Sequence, residues 1–225
     1  MHIRITTRLL CVSGALALAT TAAADTFSVN LGTKTLGQLT YRQAGAEETL
    51  VSRLDNTPLG VFNGVFNGTS RGKGNAHAFT GISKSSRKNR RAEVQMAGGR
   101  AVSTKVTPEE EITDLSDIQN VPANVVDPVQ GFGHLTTATG GCPSAIRMYD
   151  GRRVIALTPT GQGNDGQGLV CDVDYSVIAG PGHLSPLLVK SARMQLTYDQ
   201  SGGAQRLVRI RLRSGIFSVT LDRTG

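Results

Sequence analysis

The chain has 225 residues, a formal net charge of +7, no tryptophan and only 4% aromatic residues. The scarcity of aromatic side chains argues against a surface that stacks sugars or bases on rings. A basic excess of this size is compatible with docking on an anionic surface and equally with ordinary solubility, so charge alone selects no partner.

The N-terminal segment has the three parts of a secretory signal peptide. Arg4 and Arg8 precede a short apolar run, and Ala22 and Ala24 supply the small side chains of a cleavage site. The apolar run is shorter than the roughly 20 residues of a membrane span, although an uncleaved anchor is the alternative. We therefore predict a signal peptide at residues 1–24, cleavage after Ala24 and a periplasmic location.

Cleavage would leave residues 25–225 as a single domain. Removing 24 residues from 225 leaves 201, with 22 basic and 17 acidic side chains and hence a net charge of +5. A chain of this length can bury a sizeable core without a second domain. Because the domain is predicted to be exported, we expect no nucleic-acid partner, and we do not expect an integral membrane protein.

Two cysteines remain after the predicted cleavage, Cys142 and Cys171. Cys11 precedes most of the apolar run, so we do not expect it to be lipidated. An even pair in an oxidising compartment predicts a disulfide. Such a bond would close a loop of about 30 residues and stabilise the fold by roughly 3 to 4 kcal/mol. The alternative, two free catalytic thiols, lacks a C-x-x-C spacing and a neighbouring base.

The predicted elements of the mature chain are mostly strands. Short runs alternate apolar and polar residues between glycine, asparagine, aspartate and proline, a pattern typical of antiparallel sheets. The predicted strands are 27–31, 39–41, 50–54, 92–96, 102–106, 145–149, 152–158, 170–178, 192–198, 206–213 and 216–221. Asp150-Gly151 favours a tight hairpin between two of them. The last three runs resemble a meander with one buried face and one wet face.

One helix start is well marked. Asp127 is expected to cap the helix and Pro128 to occupy its first position, where a missing N–H costs nothing. Val129, Phe132 and Leu135 are spaced for one helix face, and intervening glycines are expected to keep the helix short. The fold class predicted from these patterns is mainly β, a curved antiparallel sheet covered by one or two short helices.

The stretch 57–91 gives the least clear pattern, because it is rich in glycine and asparagine. Its basic segment, residues 71–91, contains seven cationic side chains and no acid: Arg71, Lys73, Lys84, Arg87, Lys88, Arg90 and Arg91. We expect a solvated, mobile segment, with neutralisation by an anionic ligand as the alternative. The acidic residues 109–117 are expected to form a solvated loop, rather than to place Glu109, Glu110 and Glu111 in acid–base chemistry.

Arg209, Arg211 and Arg213 form a row of guanidinium groups along one predicted strand. Such a row can bind a carboxylate or phosphate bidentately. The alternative is an ordinary solvated sheet face that discourages aggregation.

Two short motifs match enzyme patterns without the structural context that the chemistry needs. Ser70 lies in a G-x-S-x-G match, but the following Lys73-Gly74-Asn75 does not favour the helix of a hydrolase elbow. The G-x-G-x-x-G match at 161–166 precedes a predicted strand instead of a helix, so we expect a hairpin loop and no nucleotide. The mature histidines, His77, His134 and His183, lack the spacing of a metal site. We therefore predict no catalytic residue, no metal and no cofactor.

Several sequence motifs of this chain also indicate a family resemblance. They are Tyr149-Asp150-Gly151-Arg152-Arg153, the Cys171 strand, the stretch 175–180 and the final meander, together with the Val126-Asp127-Pro128 helix start. With them the chain resembles an exported bacterial family of unknown function. The resemblance implies a half-barrel similar to that of the periplasmic lipoprotein carriers, with short helices over its concave apolar face. It implies no catalytic residue.

These expectations favour a non-enzymatic periplasmic protein that binds or carries an apolar ligand, such as a lipid or acyl chain, against Val129, Phe132 and Leu135. A large sheet with only one short helix would otherwise expose much apolar surface. The alternative is an interaction module of envelope assembly that docks on acidic partners or anionic headgroups through residues 71–91 or the arginine row. A serine esterase centred on Ser70 is a remote alternative.

Overall fold

The computed structural model describes residues 24–58, 63–73, 75–166, 168–183 and 189–225. Within them the chain forms one 13-stranded antiparallel sheet and one α-helix. The predicted signal peptide lies outside the described residues except for Ala24, which begins the first strand.

The strands form two meanders along the chain. The first meander is β1 (Ala24–Leu31), β2 (Lys34–Ala44), β3 (Glu47–Leu54), β4 (Gly64–Lys73), β5 (Ala76–Ser85), β6 (Asn89–Ala97) and β7 (Arg100–Thr107). The second is β8 (Ile146–Tyr149), β9 (Val154–Asn164), β10 (Leu169–Ala179), β11 (Ser191–Asp199), β12 (Arg206–Ser214) and β13 (Phe217–Arg223). Between the meanders lie three 3-10 turns, Glu109–Glu111, Asp114–Ser116 and Ile118–Asn120, and helix α1 (Pro128–Thr136).

The two meanders join where the first strand of the chain pairs with the last strand. The sheet order runs from β7 back to β1, then directly to β13 and back to β8, so the first and last strands are neighbours in the middle of the sheet. Antiparallel pairing at this junction runs from Phe27 opposite Arg223 to Leu31 opposite Val219. The predicted mainly β fold, a curved antiparallel sheet with a short covering helix, is therefore confirmed.

Helix α1 lies across one face of the sheet and contacts strands of both meanders, β2, β3 and β4 on one side and β8 and β12 on the other. The helix begins as predicted: the Asp127 carboxylate accepts hydrogen bonds from the backbone N–H groups of Val129 and Gln130, at 2.8 and 3.1 Å, and Pro128 follows it. Gly133 allows close approach, because a Cβ there would lie 2.9 Å from Glu48 Oε2.

The stretch that gave no clear pattern forms two full strands. β4 and β5 pair along their whole length, and Gly68 lies directly opposite Gly81 on the face that carries α1. A Cβ at Gly68 would lie 2.8 Å from the Val129 side chain, and one at Gly81 would lie 2.7 Å from the Phe79 ring. The glycines thus make room for neighbouring side chains, and the expectation of a mobile segment is wrong for the described residues of 71–91.

The two outer edges of the sheet, β7 and β8, are joined by polar side chains instead of strand pairing. The Tyr149 hydroxyl of β8 donates to the Leu115 carbonyl and lies 3.0 Å from Thr104 Oγ1 of β7. Ser116 Oγ donates to the Gly151 carbonyl at 3.0 Å. Burial raises the pKa of Tyr149 to about 12, so the phenol keeps its proton for these contacts. The residues between the meanders therefore hold the two edges together.

The core fills the space between α1 and the covered sheet face. Fully buried side chains come from both meanders and include Phe27, Phe79, Tyr149, Leu196 and Tyr198. The predicted two-faced meander is confirmed at its centre, where Met194, Leu196 and Ile210 are buried. Within the described residues, no helix is long and apolar enough to cross a bilayer.

Candidate functional site

The helix residues predicted to hold an apolar ligand are packed against the protein's own side chains. Val129 is 0% exposed, Leu135 is 5% and Phe132 is 9%. The Phe132 ring meets Phe27 edge-on with centroids 5.8 Å apart and lies 5.7 Å from Tyr41. The face of α1 on which the apolar-ligand hypothesis depends is thus occupied by the core.

Ser70 lies in the middle of β4 and not on a strand-to-helix elbow. Its hydroxyl donates to the buried Asp127 carboxylate at 2.7 Å. His77 Nε2 lies 3.1 Å from the same carboxylate oxygen, without hydrogen-bond geometry. A nucleophilic serine needs an imidazole as its proton acceptor, with the carboxylate behind the imidazole. Here the Asp127 carboxylate lies between Ser70 and His77, and it also caps α1. The three side chains are therefore placed to stabilise the start of the helix.

A polar cleft of about 450 Å³ opens beside this cluster, between α1 and the ends of β2, β3 and β5. Tyr41 donates a hydrogen bond to Glu48 at 2.9 Å across it. Burial, followed by the Glu48 hydrogen bond, raises the pKa of Tyr41 well above its usual value. Among the described residues, no three histidine, cysteine, aspartate or glutamate side chains are placed to hold a metal ion.

Four cations of the basic segment form ion pairs with acids of the chain, two of them with the same carboxylate. Lys88 and Arg90 contact the buried Glu111 carboxylate at 2.8 and 3.1 Å, and Arg152 contacts it at 3.0 Å. Burial alone would raise the pKa of Glu111, but hydrogen bonds from Lys88 and Arg90 and the charge of Arg152 lower it below its usual value. The expected solvated acidic loop is therefore wrong at Glu111, which is 3% exposed.

Two further cations of the same segment have acidic neighbours. Arg71 pairs with Glu47 on β3, and Arg91 pairs with Glu93 at 2.7 Å. These ion pairs are between half-exposed side chains, so each contributes little stability. They nevertheless reduce the charge that the basic segment offers to a partner.

The predicted arginine row divides into a paired and an unpaired part. Arg209 pairs with Asp222 on β13, so its guanidinium is already neutralised. Arg211 and Arg213 have no ion pair among the described residues, and neither has Arg193, which lies directly opposite Arg213 on β11. We call Arg193, Arg211 and Arg213 the guanidinium cluster.

The guanidinium cluster lines an open groove of about 450 Å³ on the sheet face away from α1. The opposite wall of the groove carries Asp172 and Asp174 of β10, and Asp172 accepts a hydrogen bond from Gln195 at 3.1 Å. Two strand spacings, about 9 to 10 Å, separate β10 from β12. Asp174 lies directly opposite Arg193 in the register between β10 and β11 but forms no ion pair with it, so the acids of the groove lie one strand from Arg193 and two strands from Arg211 and Arg213.

The sequence patterns did not identify Arg193 as a binding residue of this cluster. It belongs to a predicted strand, but its place beside Arg213 follows from the register between β11 and β12, which an isolated sequence pattern does not determine. The only local signal is its exposed position on the strand that precedes the arginine row in the predicted meander.

The predicted disulfide is present between Cys142 and Cys171, with Cα atoms 5.6 Å apart. It ties the segment after α1 to β10, the strand that forms one wall of the groove. The bond thus fixes the acidic wall of the groove to the segment that follows the helix.

No protein-family model, no curated protein and no solved structure matches this chain. The resemblance to an exported family of unknown function, and through it to the lipoprotein carriers, therefore stays a prediction.

Proposed function

We propose that the protein is an exported, non-enzymatic interaction protein whose guanidinium cluster binds phosphate or carboxylate groups of a partner in the cell envelope. One observation carries the proposal: Arg193 and Arg213 lie directly opposite each other on adjacent strands, Arg211 lies beside them, and none of the three forms an ion pair among the described residues. Guanidinium groups in such an arrangement bind oxyanions through paired hydrogen bonds.

The arrangement has an energetic cost that a bound anion would remove. Like charges directly opposite on neighbouring strands destabilise a sheet. On the first meander, the exposed Arg71 and Arg91 each lie beside an acid, Glu47 and Glu93 respectively. On this face Asp174 of β10 lies opposite Arg193, but no described acid forms an ion pair with Arg211 or Arg213, so an oxyanion between these two would offset their repulsion.

The apolar-carrier hypothesis has less support from the geometry. An acyl chain against Val129, Phe132 and Leu135 requires α1 to leave the sheet, since all three side chains are buried beneath it. The interaction hypothesis requires no rearrangement, because the groove is open. We therefore prefer docking through the outer face.

Titration with inorganic tripolyphosphate tests the proposal. Calorimetry at low salt should show binding by the wild-type domain, weakening as salt screens the charges. The double variant Arg211→Gln/Arg213→Gln should bind at least about tenfold more weakly, because two charge-assisted contacts are lost. The matched control is Arg71→Gln/Arg91→Gln, which removes the same charge from the neutralised segment and should bind as the wild type does. Equal losses in both double variants, or no binding by the wild type, would overturn the proposal.

A further inference from the structure

The hairpin between β12 and β13 ends in exposed apolar side chains. Ile216 is 93% exposed and Phe217 is 37% exposed, whereas most large apolar side chains of the domain are covered. Ser214 pairs with Phe217, which leaves Gly215 and Ile216 as a two-residue turn. Gly215 takes a φ of +57°, the conformation that such a hairpin turn requires at its first position.

Neither turn geometry nor packing within the domain accounts for an isoleucine at this turn. Tight turns favour glycine, asparagine, aspartate and serine, which suit the backbone and solvent. Three tight turns of the first meander, Gly32-Thr33, Gly45-Ala46 and Gly98-Gly99, pair a glycine with a second small residue and carry no large apolar side chain. Ile216 gains no packing in return for its exposure, so its apolar side chain is available to another surface.

A second exposed isoleucine lies at the same end of the sheet. Ile178 of β10 is 49% exposed and lies two residues beyond Ser176, which pairs with Ser191. Ser214, next to the hairpin turn, donates a hydrogen bond to the Ser191 carbonyl at 3.1 Å. Ile178 and Ile216 are therefore at similar heights along the strands, about two strand spacings apart.

Cations surround this apolar end on the side of the guanidinium cluster. Arg213 lies two residues before Gly215, or roughly 7 Å along the strand, and Arg193 lies opposite it. Lys190 precedes β11 at the same end and is exposed. Residues 189–193 and 213–218 contain no acid, and the acid at the height of Arg193 and Arg213 is Asp174 of β10, which lies opposite Arg193. An apolar tip with cations about 7 Å behind it matches the depth profile of a bilayer, where acyl chains lie below a layer of phosphates.

We propose that the β12–β13 hairpin tip inserts into the surface of an anionic lipid bilayer, with Ile216 and Phe217 among the acyl chains and the guanidinium cluster at the lipid phosphates. This inference rests on the proposed function, for which it names the partner. Charge complementarity selects an anionic bilayer over a neutral one, and each cation near such a surface strengthens binding about fivefold.

The absence of tryptophan allows a direct test of insertion. Ile216→Trp places a single indole at the tip, where the 93% exposure leaves room for it. With vesicles of phosphatidylglycerol and phosphatidylcholine, its emission should shift to shorter wavelength and be quenched by brominated acyl chains. Val102→Trp is the control, since Val102 is 51% exposed on β7 near the Gly98–Gly99 turn, at the opposite end of the sheet. Its emission should not change.

Vesicle sedimentation measures how much the Ile216 side chain contributes to the affinity for a bilayer. Ile216→Ser should weaken binding to phosphatidylglycerol vesicles about tenfold or more, because one buried apolar side chain is lost. Ile112→Ser, which changes an equally apolar and 52% exposed residue outside the hairpin, should bind as the wild type does. Vesicles of phosphatidylcholine alone should bind none of these proteins appreciably.

The outcomes separate this inference from the proposed function. Tripolyphosphate binding without vesicle binding overturns the bilayer inference, leaves the proposed function standing and directs the search to an acidic protein. Vesicle binding that is unchanged by Ile216→Ser also overturns the inference, because docking would then need charge alone. If the wild-type protein does not bind tripolyphosphate, both the bilayer inference and the proposed function are overturned.

Discussion

Two cationic regions of this domain look alike in the sequence and differ in the folded structure. In the basic segment, Lys88 and Arg90 converge with Arg152 on the buried Glu111 carboxylate. In the guanidinium cluster, Arg193 and Arg213 face each other across adjacent strands. Asp174 lies opposite Arg193 on the other side, but neither arginine forms an ion pair among the described residues. The first region uses its charge to build the fold, and the second leaves its charge for a partner.

The comparison shows why a count of cations does not locate a docking surface. Residues 71–91 contain more cations than the arginine row, yet their acids come from β3, β6 and the first 3-10 turn, of which only β6 is near in sequence. Charge that is neutralised by distant residues is invisible to local patterns. The surface available to a partner is the one whose cations form no ion pair within the described part of the domain.

The largest effect is expected where the first region is broken. Glu111→Gln should reduce the free energy of unfolding by about 4 kcal/mol, because it leaves Arg90 and Arg152 partly buried without their carboxylate. Urea denaturation of the variant and the wild type measures the difference. A loss below about 1 kcal/mol would mean that Glu111 is no more than a surface ion-pair partner.

Acid should weaken the same region. The pKa of Glu111 in the folded domain lies below its ordinary value of 4.5, so its stabilising effect is fully present above about pH 4.5. That effect is lost as the pH falls further, through the folded pKa, because protonation removes the charge that the cations need. Denaturation at a series of pH values should show the stabilities of wild type and Glu111→Gln converging below about pH 4.5. A constant difference down to pH 3 would contradict this assignment.

The smallest effects distinguish the two regions by their sign. Arg213→Gln should stabilise the domain by a few tenths of a kcal/mol, up to about 1, because it removes a like charge opposite Arg193. Arg71→Gln should instead destabilise it slightly, by about 0 to 1 kcal/mol, because it breaks the pair with Glu47. Paired urea curves measured at low salt resolve the difference. Destabilisation by both changes would show that Arg213 has a stabilising partner.

Local signals in the sequence predict a large part of this fold. Asp127 and Pro128 define the start of α1 because the capping carboxylate and the fixed proline ring act within a few residues. The hairpin after Tyr149, the closing meander and the Cys142–Cys171 bond are also found from short-range patterns or composition, but the predicted tight turn is wrong, because Tyr149 pairs with Val154 across the four residues 150–153. For the helix and the hairpins the determining interaction lies within a few residues, whereas the disulfide, between cysteines 29 residues apart, follows from the even cysteine count.

The strands that were missed depend on contacts with distant residues. β4 and β5 place Gly68 and Gly81 at covered positions, where neighbouring phenylalanine rings and Val129 of α1 occupy the space of a side chain. An alternating apolar pattern is absent there because the apolar groups are supplied from other positions. The same limit applies to the site, since the opposition of Arg193 and Arg213 depends on strand register.

The neighbouring position of β1 and β13 has a consequence for the order in which the domain assembles. Each meander is built from hairpins between consecutive strands, but the central pair joins segments separated by about 190 residues. Until β13 arrives, β1 presents an unpaired edge, and Phe27 and Val29 lack part of their covering. Open strand edges of this kind recruit other chains, so the nascent domain is exposed to aggregation until its final strand pairs. Long-range closure of this sort is also slow, because the entropy of a large loop is lost before the contact forms.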